Sequence, residues 1–552
     1  MTDSYTKTPL EMLYQWEQEC PDKVYLRQPV NGVWQEYTWL EVADQVRRMA
    51  AAIKAMNFEP GSCIAITGRN TAHWIMADMA ICMAGHITVG LYPKQATNQV
   101  DYILNHCSAK LVFMGPMEDP QSIEDGIPAG VPRVRFPYDG VNPCDHEWDD
   151  LIKANAPLQE NTIPDDDAIW TLIYTSGTTG NPKGVAITFK NIKFVGYGLM
   201  NVIPPKSQER LFSYLPLAHI FERDVVETFS LYCCAEVSFL ESLDRFAQQL
   251  PEVAPTRFFA VPAVWTRFQM GILGKMPQKK LSRLTGIPIL GGIIKKKIRT
   301  GLGLQNAELC VTGAAPIPTA TLEWFQKYIG ITLLQGWAMS ENTAYASINL
   351  PHANRFGSVG QPLPNGEVKV AEDGELLTRS KGTMKGYYLQ PEKTAETIDE
   401  DGWLHTGDRG KIDDDGFIFI TGRVKEIFKT LKGKYVAPAP IEGELARNAH
   451  IEQICMMGAG MAQPVVLVVL SEAAADVSKE ELTRELEDGL NALNKTLEPH
   501  ERISNIIVCA EPWSIDNGLL TPTMKTKRHS VEKKYAALVE QHAGSDNKVI
   551  WE

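Results

Sequence analysis

The chain has 552 residues, 44 % of them apolar, and a formal net charge of −13. That length suits two to four domains, and no run approaches the roughly 18 apolar residues of a transmembrane helix. The acidic balance argues against general nucleic-acid binding, which needs surplus Lys and Arg.

Ten cysteines, with no CxxC pair and an adjacent Cys233-Cys234, argue against a disulfide scaffold or zinc site and suit a reducing cytoplasm. The polar start MTDSYTKTPLEMLYQWEQEC lacks the basic-then-apolar layout of a secretory signal.

In chain order, Ser62 to Thr67 reads as a buried strand ending at Gly68, and Trp74 to Ala84 as an apolar helix. His86 to Tyr92 reads as a strand, Val100 to Asn105 as a helix and Lys110 to Met114 as a further strand. This alternation predicts parallel sheets covered by helices. The Pro- and Asp-rich stretches 118–148 and 155–167 read as surface connections.

Ile169 to Ile173 reads as another apolar strand. After it comes Tyr174-Thr175-Ser176-Gly177-Thr178-Thr179-Gly180-Asn181-Pro182-Lys183-Gly184. Three glycines, four hydroxyls and a lysine make a flexible, donor-rich backbone suited to cradling phosphate. It is not a Walker A loop, which needs Gly-Lys-Ser/Thr, whereas Lys183 stands between Pro182 and Gly184.

Between Phe268 and Ala307 lies a basic stretch with Lys275, Lys279, Lys280, Arg283, Lys295, Lys296, Lys297 and Arg299, interrupted by the apolar Ile287-Pro288-Ile289-Leu290-Gly291-Gly292. It suits contact with anionic lipid at the inner membrane face, or gating of a tunnel; a plain solvated face is the alternative.

The composition changes near residue 421. Gly416 to Thr421 reads as a strand, a Lys-rich stretch follows, and Pro464 to Leu470 reads as an apolar strand. A helix then starts at a capping box of Ser478 and Glu481, lines one face with Leu482, Leu486, Leu490, Leu493 and Leu497, and stops at Pro499. The expected domains are 1–422 and 423–552.

Further strings follow in order: Leu215-Pro216-Leu217-Ala218-His219, Thr312-Gly313-Ala314-Ala315-Pro316, Gln335-Gly336-Trp337-Ala338-Met339-Ser340-Glu341-Asn342, Trp403-Leu404-His405-Thr406-Gly407-Asp408, and Gly422-Arg423-Val424-Lys425-Glu426. Together with the glycine-rich string they resemble the ordered motifs of the adenylate-forming enzymes: acyl-CoA synthetases, luciferases and peptide-synthetase adenylation domains. Near the end, Leu519-Leu520-Thr521-Pro522-Thr523-Met524-Lys525-Thr526-Lys527-Arg528 resembles the form found in long-chain fatty acyl-CoA synthetases.

The resemblance implies an α/β fold. A large N-terminal domain of two layered αβαβα subdomains and a small distorted β-barrel precedes a small mobile α+β C-terminal domain, hinged near Lys425. It implies ATP and coenzyme A as co-substrates, Mg²⁺ as cofactor and a medium- to long-chain fatty acid as substrate.

Thr175, Ser176, Gly177, Thr178, Thr179, Gly180 and Lys183 would hold phosphates, with a solvated loop lysine as the other reading of Lys183. Gly313, Ala314 and Ala315 would lie beside adenine, in the pocket shaped by Gln335, Gly336, Trp337, Ala338 and Ser340. Glu341 would carry the metal, Asp408 and Arg423 would reach the ribose, and His219 would serve the acyl carboxylate or the thioester tunnel, with a packed core histidine as its other reading. Trp337 and Ser340 depart from the usual Tyr and Thr, with chemistry preserved and pocket size changed. Lys525 would be the catalytic lysine, with Lys527 the alternative because no glycine precedes Lys525. Lys434 would face coenzyme A after a domain rotation. The alternatives are a ligase that passes its adenylate to a carrier protein and a non-catalytic nucleotide-binding homologue.

Overall fold

The computed structural model describes residues 7–175, 181–206, 208–521, 524–542 and 544–552. Its first layer is an eight-stranded sheet. At its centre Cys63–Thr67 pairs in parallel with Ile87–Gly90 and Leu111–Met114, and Ile87–Gly90 pairs with Ile169–Thr175. These strands are wholly or almost wholly buried, as expected of parallel strands covered on both faces.

The stretch 118–148 corrects the expectation of a plain surface connection. It contains the helix Pro120–Glu124 and the strands Arg133–Arg135 and His146–Glu147, which extend the sheet. Its prolines and aspartates hide short strands whose apolar anchors, Val134, Phe136 and Trp148, are fully buried.

The helix Ala72–Met83, apolar but for His73 and Asp78, is buried at every position, as a helix hydrophobic on all sides requires. Thr71 caps it by accepting a hydrogen bond from the Trp74 amide. A second layer pairs Arg210–Ser213, Glu236–Phe239, Val24–Val30 and Val33–Thr38. It adjoins a five-stranded sheet containing Arg257–Ala260, Leu309–Thr312 and Leu333–Trp337; the Thr256 amide donates to the Arg210 carbonyl where they meet.

An antiparallel sheet follows, in the order Glu367–Val370, Glu375–Arg379, Leu404–Ile412, Ile418–Arg423. Beyond it, a four-stranded mixed sheet holds Ile451–Met457, Val465–Leu470, Asn505–Val508 and Val549–Trp551. The helix Lys479–Asn494 lays Leu482, Leu486 and Leu490 against this part, and Ser478 accepts from the Glu481 amide. It ends before Leu497, which packs from the following turn.

All ten cysteines are unpaired. Among the described residues, no helix is long and apolar enough to cross a membrane.

The C-terminal part is tied together by Arg528, whose guanidinium donates to both oxygens of Glu442 at 2.7 and 2.8 Å and to the Met456 carbonyl at 2.7 Å. The paired side chains are only 15 % and 12 % exposed. Arg528→Ala strands the Glu442 carboxylate and should cost about 3 kcal/mol. The readout is an earlier thermal transition with faster proteolysis of the C-terminal part; an unchanged transition would show the pair to be dispensable.

Candidate functional site

A cleft of about 2270 Å³ runs between the sheets and the C-terminal part. Its parts arrive from strand ends. Thr175 and Lys183 face each other across the hairpin of Ile169–Thr175 and Lys183–Thr188. The phosphate-loop residues Ser176, Gly177, Thr178, Thr179 and Gly180 lie outside the described residues, as do Pro522 and Thr523. Gly313, Ala314 and Ala315 line the cleft at the end of Leu309–Thr312. Ala314 turns the chain there at φ +67°, a left-handed conformation uncommon for a residue with a Cβ. Gln335, Gly336, Trp337, Ala338 and Ser340 line it at the end of Leu333–Trp337.

Asp408 sits where three elements meet. One carboxylate oxygen accepts from the Trp337 indole N–H at 2.8 Å, and the other from Arg423 Nε at 2.7 Å. Asp408 and Arg423 are register partners in adjacent antiparallel strands. The expected flat face of Trp337 is thus accompanied by a polar role that the sequence did not suggest: the indole orients Asp408.

Glu341 is 8 % exposed and accepts from the Tyr387 hydroxyl at 2.8 Å. The Lys183 ammonium lies 4.3 Å from the centre of the same tyrosine ring. Burial lowers the pKa of Lys183, and Glu341 opposes that shift. Among the described residues, no three His, Cys, Asp or Glu side chains cluster as a metal cage. Glu341, one carboxylate of the cleft lining, fits Mg²⁺ of the kind that arrives on nucleotide phosphates and keeps most of its other ligands.

His219 caps the short helix Ile220–Glu222, its Nδ1 accepting from the Phe221 amide at 3.2 Å. Two residues absent from the sequence expectations hold this segment. Asn70 Oδ1 accepts from the Leu217 amide at 3.0 Å, and buried Glu222 accepts from the Ser213 hydroxyl at 2.8 Å and the Tyr214 amide at 3.0 Å. Burial pushes the Glu222 carboxyl up to about 8. Neither residue lies in a motif that signals partnership; Asn70 is 145 positions from Leu215, whose carbonyl it also meets.

Lys525 lines the cleft and Lys527 does not. The Lys525 amide donates to Thr521 Oγ1 at 3.0 Å, and Met524 takes φ +61°. Burial and the neighbouring Arg423 charge lower its pKa, while Asp408 raises it. Lys425 lines the cleft beside the strand end at Arg423, in the short turn Val424–Glu426. Lys434 is exposed on the small hairpin of Phe428–Lys429 and Tyr435–Val436 and is not part of the cleft wall.

Burial, then the Lys525 charge, lowers the His219 pKa from 6.5 to about 4. The fold therefore favours neutral imidazole. The stability this contributes is complete above pH 6.5 and is lost as pH falls through about 4. An NMR titration should show the His219 ring protonating near pH 4, and Lys525→Gln should move that midpoint upward. A midpoint unmoved by Lys525→Gln would place the lysine away from the imidazole.

The AMP-binding enzyme family matches residues 13–388, and the AMP-binding enzyme C-terminal domain matches residues 426–544. The chain is 28 % identical to the long-chain-fatty-acid–CoA ligase FadD15 of Mycobacterium bovis, over 96 % of each chain. It is 29 % identical to long-chain-fatty-acid–CoA ligase 1 of Homo sapiens, over 92 % of this chain and 82 % of the relative. Its fold is similar to that of the anthranilate CoA ligase AuaEII in complex with anthranoyl-AMP, with a TM-score of 0.79, 21 % identity and coverage of 97 % and 98 %. The o-succinylbenzoate CoA synthetase of Bacillus subtilis is also similar in fold, with a TM-score of 0.74, 22 % identity and coverage of 95 % and 98 %.

Proposed function

This chain belongs to the AMP-binding enzyme family of adenylate-forming ligases, and on that premise we propose that it activates a medium- to long-chain fatty acid with ATP and passes the acyl group to coenzyme A. The observation that carries this reading is the single cleft that joins a charged set, Lys183, Glu341, Asp408, Arg423 and Lys525, to an apolar set, Leu199, Val202, Phe221, Phe229 and Leu273. The first suits a nucleotide and a carboxylate; the second suits a hydrocarbon chain.

In the first half-reaction the acid's carboxylate attacks the α-phosphorus of ATP and pyrophosphate leaves. No general base is needed, because a carboxylate is already ionised near pH 7. Lys525 offsets the negative charge that builds between carboxylate and α-phosphate and fixes the line of attack. Asp408, oriented by Trp337 and Arg423, accepts from the ribose hydroxyls. Ser340 donates to the α-phosphate, and Gly313, Ala314, Ala315 and Trp337 border the adenine. Glu341 would hold Mg²⁺, which supplies charge neutralisation on the phosphates. Neutral His219 orients the acyl carboxylate without adding a charge that would compete with Lys525.

In the second half-reaction the thiolate of coenzyme A attacks the acyl-adenylate carbonyl and AMP leaves. The domains divide between Gly422 and Lys425, in keeping with the C-terminal match that begins at residue 426. Rotation about Lys425 withdraws Lys525 and brings Lys434 toward the coenzyme.

The hairpin of helices Gln278–Thr285 and Leu290–Gly301 supports peripheral contact with an anionic membrane surface. Its tip exposes Ile287, Ile289 and Ile293 at 42, 86 and 58 %. Exposed Lys279, Lys280, Arg283, Lys296 and Lys297 surround the tip.

Pyrophosphate release should be measured with Mg-ATP and straight-chain acids from acetic to stearic, with and without coenzyme A. Coenzyme-dependent turnover peaking at the longer chains is expected. Lys525→Ala should slow adenylate formation roughly 100- to 1000-fold while sparing thioester formation from supplied acyl-adenylate. Pyrophosphate without thioester would point instead to a carrier-protein acceptor. On vesicles of phosphatidylcholine with phosphatidylglycerol, the wild type should co-sediment in low salt, and Ile289→Glu with Ile293→Glu should abolish this. Equal sedimentation of both proteins would remove the membrane contact.

A further inference from the structure

The helix that follows His219 is not regular. Residues Arg223–Thr228 form a π-helical turn, a local widening that costs hydrogen-bond geometry and recurs at functional sites. The turn carries three acidic or basic side chains into the interior; Arg223 and Glu227 are ion-paired, although their polar atoms, like those of Asp224, make no hydrogen bond among the described residues. Arg223, fully buried, meets Asp78 at 2.8 Å and Glu227 at 3.1 Å, with its guanidinium 4.2 Å from the centre of the Trp170 ring and 5.0 Å from that of Trp74. Its charge is thus already opposed by two carboxylates.

Asp224 is different. It is 1 % exposed, lines the cleft, and neither carboxyl oxygen has a hydrogen-bond partner among the described residues. Its neighbours on the same chain segment, Phe221, Val225 and Phe229, line the cleft with apolar surface. Burial drives the Asp224 carboxyl well above the usual carboxylate range, with Arg223 opposing. Gln95, which also lines the cleft, is 5 % exposed and its Oε1 has no partner among the described residues, as holds for Thr312 Oγ1. Unpaired buried polar groups are costly, and each calls for an explanation.

A plain hydrocarbon chain would leave Asp224 unmatched. A second carboxylate on the substrate would meet Asp224 with like charge or a further desolvation cost. A hydroxyl satisfies Asp224 in either protonation state, donating to the carboxylate or pairing with the neutral acid as donor or acceptor. We propose that Asp224 reads a hydroxyl group on the acyl chain, so that the acid preferred by this cleft is a hydroxy acid. The inference rests on the reading of the protein as an acid-activating ligase and names the substrate class within it.

The test compares pyrophosphate release from dodecanoic acid and from its monohydroxy positional isomers, in the wild type, Asp224→Asn and Asp224→Val. In the wild type at least one isomer should exceed dodecanoic acid by roughly 10- to 100-fold in kcat/KM. Asp224→Val should erase that preference, and Asp224→Asn should retain part of it. Both variants should melt no lower than the wild type, since nothing described in the fold pairs with the carboxyl. The proposal is overturned if dodecanoic acid matches or exceeds every isomer in the wild type, or if Asp224→Val keeps the preference. A variant that unfolds also overturns it, by revealing a protein partner for Asp224. Silence with every acid, plain or hydroxylated, refutes instead the acid-activation reading on which it rests. Turnover of plain acids with an unchanged ranking refutes this inference alone.

Discussion

The carboxylate of Asp408, gripped on one side by an indole N–H and on the other by a guanidinium, is the contact on which the site depends. It joins the end of the Leu333–Trp337 strand to the last residue before the turn Val424–Glu426. With its oxygens taken from opposite sides, the carboxylate has little freedom to rotate, and its charge faces the cleft that Lys525 also lines. The position of the C-terminal part is felt here electrostatically: Lys525 senses both Asp408 and Arg423. The exposed ion pair of Lys94 and Asp516, 3.1 Å apart, also spans the two halves, but a surface pair of that kind is worth little.

Around this contact the protein places charge with attention to what else is buried. Lys183 sits on the Tyr387 ring within reach of Glu341, whose own oxygen takes the tyrosine hydroxyl. His219 stays neutral under burial and under the Lys525 charge. The segment leading to His219 is held by Asn70 and Glu222, which satisfy backbone groups that have no ladder to join. A cleft organised in this way presents its cations to phosphate and carboxylate while keeping its own carboxylates oriented by donors. Asp224 stands outside that pattern, and so it is informative about the ligand rather than about the fold.

Much of the fold was legible because it rests on local rules. The apolar run Cys63–Thr67 is a strand and the largely apolar Ala72–Met83 a buried helix, since neither could be left in water. Ser478 caps its helix where the spacing to Glu481 indicated. The stretch 118–148 was misread because short strands anchored by single aromatics carry too little periodicity to outweigh their prolines and aspartates. The leucine stripe was extended too far, because a helix end depends on backbone hydrogen bonds that side-chain spacing does not reveal.

The sequence alone determined the ordered motifs, and with them the chemistry available: a donor-rich loop, a carboxylate in each of two motifs, a histidine after an apolar run and lysines near the end. Those are properties of residue type and spacing, which the chain carries whether or not it is folded. The tertiary structure decided which of them meet. It selected Lys525 over Lys527 for the cleft, gave Trp337 its bond to Asp408, buried Glu222 three residues after His219, and recruited Asn70 and Tyr387, which no spacing could connect to the site. It also left Asp224 buried without a hydrogen-bond partner among the described residues, because pairing is settled by distances between residues far apart in the chain, and those exist only once the sheets have packed.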